Sequence, residues 1–159
     1  MADFLPSRPR QSANRRAYAV VASEYNSDYV GGLLEHFQRE MRVIAPGSTL
    51  TTWRVPGAFE IPPAVQEVAS RGGIDAVVAL GVIIEGRTAH ASLIGTAITG
   101  SLLRISLDSR VPIIHEVLLL QDAAQAEERC MAEKLNRGTE AARVAVRMVE
   151  AMQEIRNER

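Results

Sequence analysis

The segment Gly86-Arg87-Thr88-Ala89-His90 brings together residue types suited to holding an anion and moving a proton. It directly follows an apolar run, Ala76–Ile84, that predicts a buried strand. It precedes a helical repeat of Ile94, Ala97, Ile98, Ser101, Leu102 and Ile105. A glycine-bearing turn from strand to helix offers backbone amides and the positive end of a helix dipole, which suit phosphate. A histidine in the first helical turn stands beside any anion held there. His90 is therefore either a proton carrier or a capping, packed histidine.

Other segments carry similar choices. Pro56-Gly57 makes a tight turn before Ala58-Phe59-Glu60, and Glu60 either accepts from hydroxyls and amines or complements the dipole of the helix that follows. Tyr25 lies just past a predicted strand, where a ring either stacks on a flat heterocycle or sits half-buried. Asn26 and Ser27 read as helix caps. Arg129, in a charged helical stretch, reads alone as a solvated charge. His115 interrupts an apolar strand and reads alone as a core histidine with a backbone partner.

These residues need a frame, and the apolar pattern supplies one. Strands are predicted at Ala17–Ala22, Thr49–Val55, Ala76–Ile84 and Val111–Leu120. Between and after them come a helix marked by Val30, Leu33, Leu34, Phe37 and Met41, a short helix over Ile61–Ser70, the helix after His90, and a helix over Gln121–Lys134. A last helix follows Asn136 with Ala145, Met148, Val149, Met152 and Ile155 on one face, and the residues from Arg156 to Arg159 read as frayed. Pro62 and Pro63 fit only a first helical turn. Repeated strand-helix-strand units imply one α/β domain: a four-stranded parallel sheet with helices on both faces, a flavodoxin-like three-layer sandwich. Residues 17–156 form that domain and residues 1–16 a flexible N-terminal arm. Ligands in such sheets bind beyond the carboxyl ends of the strands. That rule selects Ser23–Asn26, Pro56–Glu60, Gly81–His90 and the stretch from His115 to Leu120.

Composition narrows the classes. With 159 residues the chain can bury a real core. A net charge of -1 gives no general pull toward nucleic acid or anionic membrane. No apolar run is long enough to span a bilayer, and the polar, Arg-bearing N-terminus lacks a signal peptide's apolar core. The single cysteine, Cys130, excludes an internal disulfide framework and fits a reducing cytoplasm. No metal-ligand cluster is apparent. A signalling domain of related fold needs a phosphate loop after the first strand or an acidic metal cluster, and Ser23-Glu24-Tyr25-Asn26 supplies neither.

Taken together, Val55–Pro62, the run Gly81–His90 and the stretch Gln125–Gly138 resemble the lumazine synthase family. The second run fits that family's Gly-x-x-Ile-x-Gly-x-Thr-x-His. The resemblance implies condensation of 5-amino-6-(D-ribitylamino)uracil with 3,4-dihydroxy-2-butanone 4-phosphate to 6,7-dimethyl-8-ribityllumazine, the direct precursor of riboflavin. It implies no cofactor and no metal. By the same resemblance Tyr25 stacks on the pyrimidine, Ala58, Phe59 and Glu60 line the ribityl side, and Val82, Ile83 and Ile84 offer backbone contacts. Arg87, Thr88 and Arg129 hold the phosphate, His90 transfers protons, and His115 reaches the ring from an adjacent subunit. It further implies homopentamers, alone or built into decamers or sixty-subunit shells, with sites between subunits and riboflavin synthase as a candidate partner.

The chain also departs from the family pattern. Glu85 replaces a frequent basic residue, Ala91 an aromatic, His115 a neutral residue, and Leu119-Leu120 a polar pair. The loop Cys130–Leu135 lacks glycines often found there. These ring-side differences keep a second reading in view: a weakly catalytic paralogue that binds flavin or lumazine, or a shell-forming protein.

Overall fold

The computed structural model describes residues 4–158. Its four strands are β1 (Ala17–Ser23), β2 (Thr49–Val55), β3 (Ala76–Ile84) and β4 (Ile113–Leu120), all parallel, in the order β2-β1-β3-β4. The helices are α1 (Ser27–Ile44), α2 (Ile61–Ser70), α3 (His90–Ser109), α4 (Ala123–Ala126) and α5 (Arg137–Asn157). A 3₁₀ turn, Ala58–Glu60, leads into α2, and a π-helical turn, Glu127–Met131, continues α4.

Side chains alternate across a strand, so each central strand feeds two cores. Tyr18, Val20, Ala22, Val78, Leu80 and Val82 pack with Leu33, Phe37 and Met41 of α1 and Ala145 and Val149 of α5. Ala19, Val21, Val77 and Ala79 pack with Val65 and Val68 of α2 and Ile98 and Leu102 of α3. The three-layer arrangement follows directly, because β1 and β3 are apolar on both faces and must be covered on both.

α1 and α5 approach closely at one point. A Cβ built on Gly138 would lie 2.1 Å from the Leu33 carbonyl oxygen, so only glycine fits there. Further along both helices the buried Glu40 carboxylate takes Arg8 Nε and Nη2 and Arg143 Nε, each at 2.8 Å. Burial opposes its ionisation, but the two guanidinium groups outweigh that and hold the carboxyl below its usual range. Arg143 also donates to the Pro6 carbonyl, and the Ser12 amide to that of Ile44. Of the expected arm, Met1–Asp3 lie outside the described residues.

Several sequence expectations need correction. Gln121–Lys134 is not one helix. A single α-helical turn capped by Asp122 passes into the π turn, where the Ala132 amide reaches the Glu127 carbonyl, and Ala132 then leaves in extended conformation. The fourth strand starts at Ile113 rather than Val111. The Ser106 hydroxyl donates to the Val111 carbonyl and accepts from the Ile113 amide, while Pro112, which has no amide to give, meets the sheet only through its carbonyl, bonded by the Val77 amide. On α5 the buried face is Ala141, Ala142, Ala145, Val146 and Val149, while Met148 and Ile155 are exposed. The helix does not fray at Arg156: it runs to Asn157, with Arg156 donating to the Arg110 carbonyl, and Arg159 lies outside the described residues. On α3, Ala97 and Ser101 face outward.

Gly138→Ala should destabilise the fold by about 1–3 kcal/mol or more, since the added methyl forces α1 and α5 apart. A thermal midpoint equal to that of the unsubstituted protein would contradict this reading of the contact.

Candidate active site

Beyond the carboxyl ends of β1, β2 and β3 lies a cleft of about 500 Å³. Tyr25 and Asn26 come from the end of β1, and Gly57 to Glu60 from the turn after β2. Val82, Ile83 and Ile84 come from the end of β3, Gly86 and Thr88 from the following loop, and His90, Ala91 and Ile94 from α3. Parallel pairing of the two central strands is what brings the Tyr25 and Val82 segments side by side.

Two aromatic rings flank the cleft in the open. Tyr25 is 74% exposed and Phe59 61%, in a chain whose other large side chains mostly pack inward. Exposed rings beside a mainly apolar cleft with a few polar groups suit a flat, partly polar ligand. Glu60 occupies the N-cap position of α2 yet caps no amide with its side chain. Its carboxylate folds toward Gly57, where a Cβ would stand 2.8 Å from Glu60 Oε2. The charge therefore complements the α2 dipole while its oxygens stay open to donors from the cleft.

The third crossover opens with no side-chain cap. Ala89 holds the N-cap position of α3 with no side-chain hydrogen bond, so the first amides of the helix face outward without intrahelical acceptors. His90 is the first helical residue, and it shares the cleft wall with Thr88. An anion seated there meets backbone donors, a threonine hydroxyl and an imidazole together. Arg87 is exposed on the same loop but is not part of the wall.

Asn26 is a cleft residue that the sequence reading assigned to capping. It has left-handed backbone angles (φ 57°, ψ 43°) and makes no side-chain cap. Instead its Nδ2 donates to the Val82 carbonyl at 2.8 Å and ties the ends of β1 and β3 together. The only signal in the sequence was an asparagine directly after the aromatic at a strand end. Such residues tolerate the left-handed region better than most.

Two expected residues lie away from their own chain's cleft. His115 belongs to the contact between β4 and α3. Its Nδ1 faces the Val117 amide at 3.1 Å and so must accept, which places the proton on Nε2. Nε2 meets the Thr99 hydroxyl at 2.8 Å, and that hydroxyl donates to the Gly95 carbonyl. Burial, and then the Arg137 charge, lower the pKa of the ring. Arg129 sits on the π turn with its side chain 13% exposed and a single distant ion pair, 3.9 Å to Glu128.

Beside His115 in sequence, the buried Glu116 carboxylate faces the α5 side. It takes Arg137 Nε at 3.0 Å and Nη2 at 3.2 Å, and Arg137 Nη1 also donates to Glu140. Burial pushes the Glu116 carboxyl up to about 7, although Arg137 draws it down. Among the described residues no three His, Cys, Asp or Glu side chains gather as a metal site requires, and no helix is long and apolar enough to cross a membrane.

Residues 16–153 match the family of 6,7-dimethyl-8-ribityllumazine synthase. A protein of that name from Chlorobium limicola is 38% identical over 140 residues, covering 87% of this chain and 90% of its own. Its counterpart in Chloroherpeton thalassium is 37% identical over 140 residues, with the same coverage. That of Halorhodospira halophila is 37% identical over 139 residues, covering 87% of this chain and 89% of its own.

The bonds around His115 have a titration signature. The folded state favours the neutral ring, so this contribution to stability is present above the ordinary histidine pKa of about 6.5 and is lost as pH falls through the folded value. In ¹⁵N-histidine spectra the ring should appear as the Nε2–H tautomer and titrate below that value. A midpoint above it would contradict the assignment.

Proposed function

The chain belongs to the 6,7-dimethyl-8-ribityllumazine synthase family, and we infer that it catalyses the condensation named for that family. It is a transferase that joins 5-amino-6-(D-ribitylamino)uracil to 3,4-dihydroxy-2-butanone 4-phosphate and yields 6,7-dimethyl-8-ribityllumazine. The observation that carries this reading is the single cleft that collects Glu60, Thr88, His90 and the exposed end of β3.

Each part of the cleft suits one demand of the reaction. Tyr25 stacks on the pyrimidine, and the backbone of Val82, Ile83 and Ile84 meets its polar edge. Glu60 accepts from ribityl hydroxyls beside Ala58 and Phe59. The uncapped amides of α3, with Arg87 and Thr88, hold the phosphate. Fixing two substrates in one cleft removes much of the entropic barrier to their reaction. The primary amine attacks the ketone and water leaves to form an imine. Phosphate then departs by elimination, and the ring closes with loss of a second water. The departing phosphate needs positive charge aimed at it, and the amides and arginines supply that. The His90 imidazole takes and returns the protons these steps move.

Arg129 and His115 lie outside their own cleft, and this favours a site completed by a neighbour. The unit we propose is a homopentamer, in which these two residues enter the adjacent subunit's cleft. Leu93, Leu103 and Leu107, all exposed on α3, support an apolar contact face. Riboflavin synthase, which consumes the product, is the proposed partner, and the cytoplasm the proposed compartment.

Purified protein mixed with both substrates should form the lumazine chromophore well above the spontaneous rate. No acceleration would refute the assignment, and flavin binding without condensation would favour a non-catalytic paralogue instead. His90→Ala should lower kcat by about 10²-fold or more with smaller changes in KM. Arg129→Ala should raise KM for the phosphorylated substrate by about 10- to 100-fold, the worth of a charge-assisted hydrogen bond. An unchanged KM there would remove Arg129 from the phosphate site.

A further inference from the structure

We propose that Asn136 is a positioning residue for Arg129, fastening the π turn that carries the guanidinium to the start of α5. The proposal rests on the phosphate-holding role assigned to Arg129 above.

Asn136 is completely buried, and each polar group of its side chain is engaged. Oδ1 accepts from the Gly138 amide at 2.9 Å and caps α5. Nδ2 donates to the Cys130 carbonyl at 2.9 Å and to the Ala132 carbonyl at 3.0 Å. Capping alone requires only the acceptor, and serine or aspartate would serve equally well. The two donated bonds are surplus to the cap. Both run to the end of the π turn, and one ends on the residue directly after Arg129.

The turn is held from the opposite side as well. A Cβ on Gly32 of α1 would lie 2.6 Å from the Cys130 carbonyl oxygen, so that carbonyl sits between α1 and Asn136 with no room to shift toward the helix. Arg129 makes no close ion pair among the described residues: its nearest acidic partner is 3.9 Å away, and its side chain is largely buried. Arg137 differs: its own bonds to Glu116 and Glu140 set its guanidinium. The placement of Arg129 therefore depends on the backbone beneath it, and Asn136 is the side chain that locks that backbone. π-helical turns are rare and frequently mark functional sites, and a fully satisfied buried polar group makes the local backbone rigid.

Asn136→Ser and Asn136→Asp both keep an acceptor for the Gly138 amide and remove the Nδ2 amide with its two donors, and the single hydroxyl hydrogen of serine cannot serve both carbonyls. Steady-state kinetics on the whole protein, alone and combined with Arg129→Ala, would read the consequence. For Asn136→Ser, KM for 3,4-dihydroxy-2-butanone 4-phosphate should rise about tenfold, KM for the uracil substrate should stay within about twofold, and the rise should vanish in the Arg129→Ala background. An equal rise in both backgrounds, or parallel changes in both KM values, would overturn the proposal while leaving the condensation activity standing. Absence of activity in the unsubstituted protein would overturn both together. Should neither Asn136 variant fold, Gly32→Ala displaces the same carbonyl from the α1 side. It must then reproduce the Arg129-dependent rise, and failure to do so overturns the proposal.

Discussion

The pairing of β1 with β3 governs this molecule. Both strands are buried on both faces, from Ala19 to Ala22 and from Ala76 to Leu80. Two parallel neighbours cannot be joined by a tight turn, so the chain must cross over and cover each face with helices. That requirement sends every strand's exit loop to one edge of the sheet. The pairing alone therefore places Tyr25 and Asn26 beside Val82, and the Asn26 amide holds them there through the Val82 carbonyl.

The two faces of the sheet have different tasks. On the α1 and α5 side the carboxylates of Glu40 and Glu116 are buried and matched to arginines, which makes that side a settled scaffold. Such pairs fix geometry more than they add stability, because desolvation offsets much of their attraction. On the α2 and α3 side Glu60, Arg87 and His90 are exposed at the cleft and its rim. The polar groups proposed for the chemistry thus stand in the open, on a frame whose buried carboxylates are matched to arginines.

The sequence was most legible where one local force dominates. β2, β3 and α2 have the bounds predicted for them: β-branched alternation marks the edge strand β2, an apolar run marks the buried β3, and a proline-bearing first turn fixes the start of α2. The π turn was hidden, since Ala123–Lys134 is locally helix-compatible. What interrupts it lies outside that stretch: the Gly32 backbone, remote in sequence, on one side and the Asn136 amide, just past its end, on the other. Asn26 misled for the same reason, its side chain bonding a carbonyl 56 residues away. His115 has two readings in the sequence, a core histidine or a residue that reaches a neighbour's ligand. Its partners within the chain, the Thr99 hydroxyl and the Val117 amide, fit the core histidine, and neither could be located from the sequence.

The strand order also bears on how the chain reaches its fold during synthesis. β1 emerges first, β2 joins one side of it, β3 the other, and β4 the outside of β3. Each arriving strand extends a rim that already exists, and none must be threaded between two that have closed. Ribosomal emergence and sheet growth run in the same direction, so the nascent chain need not undo early pairings to accept later ones. The delay falls on β1, whose second neighbour lies some sixty residues downstream and must wait for a long loop to close.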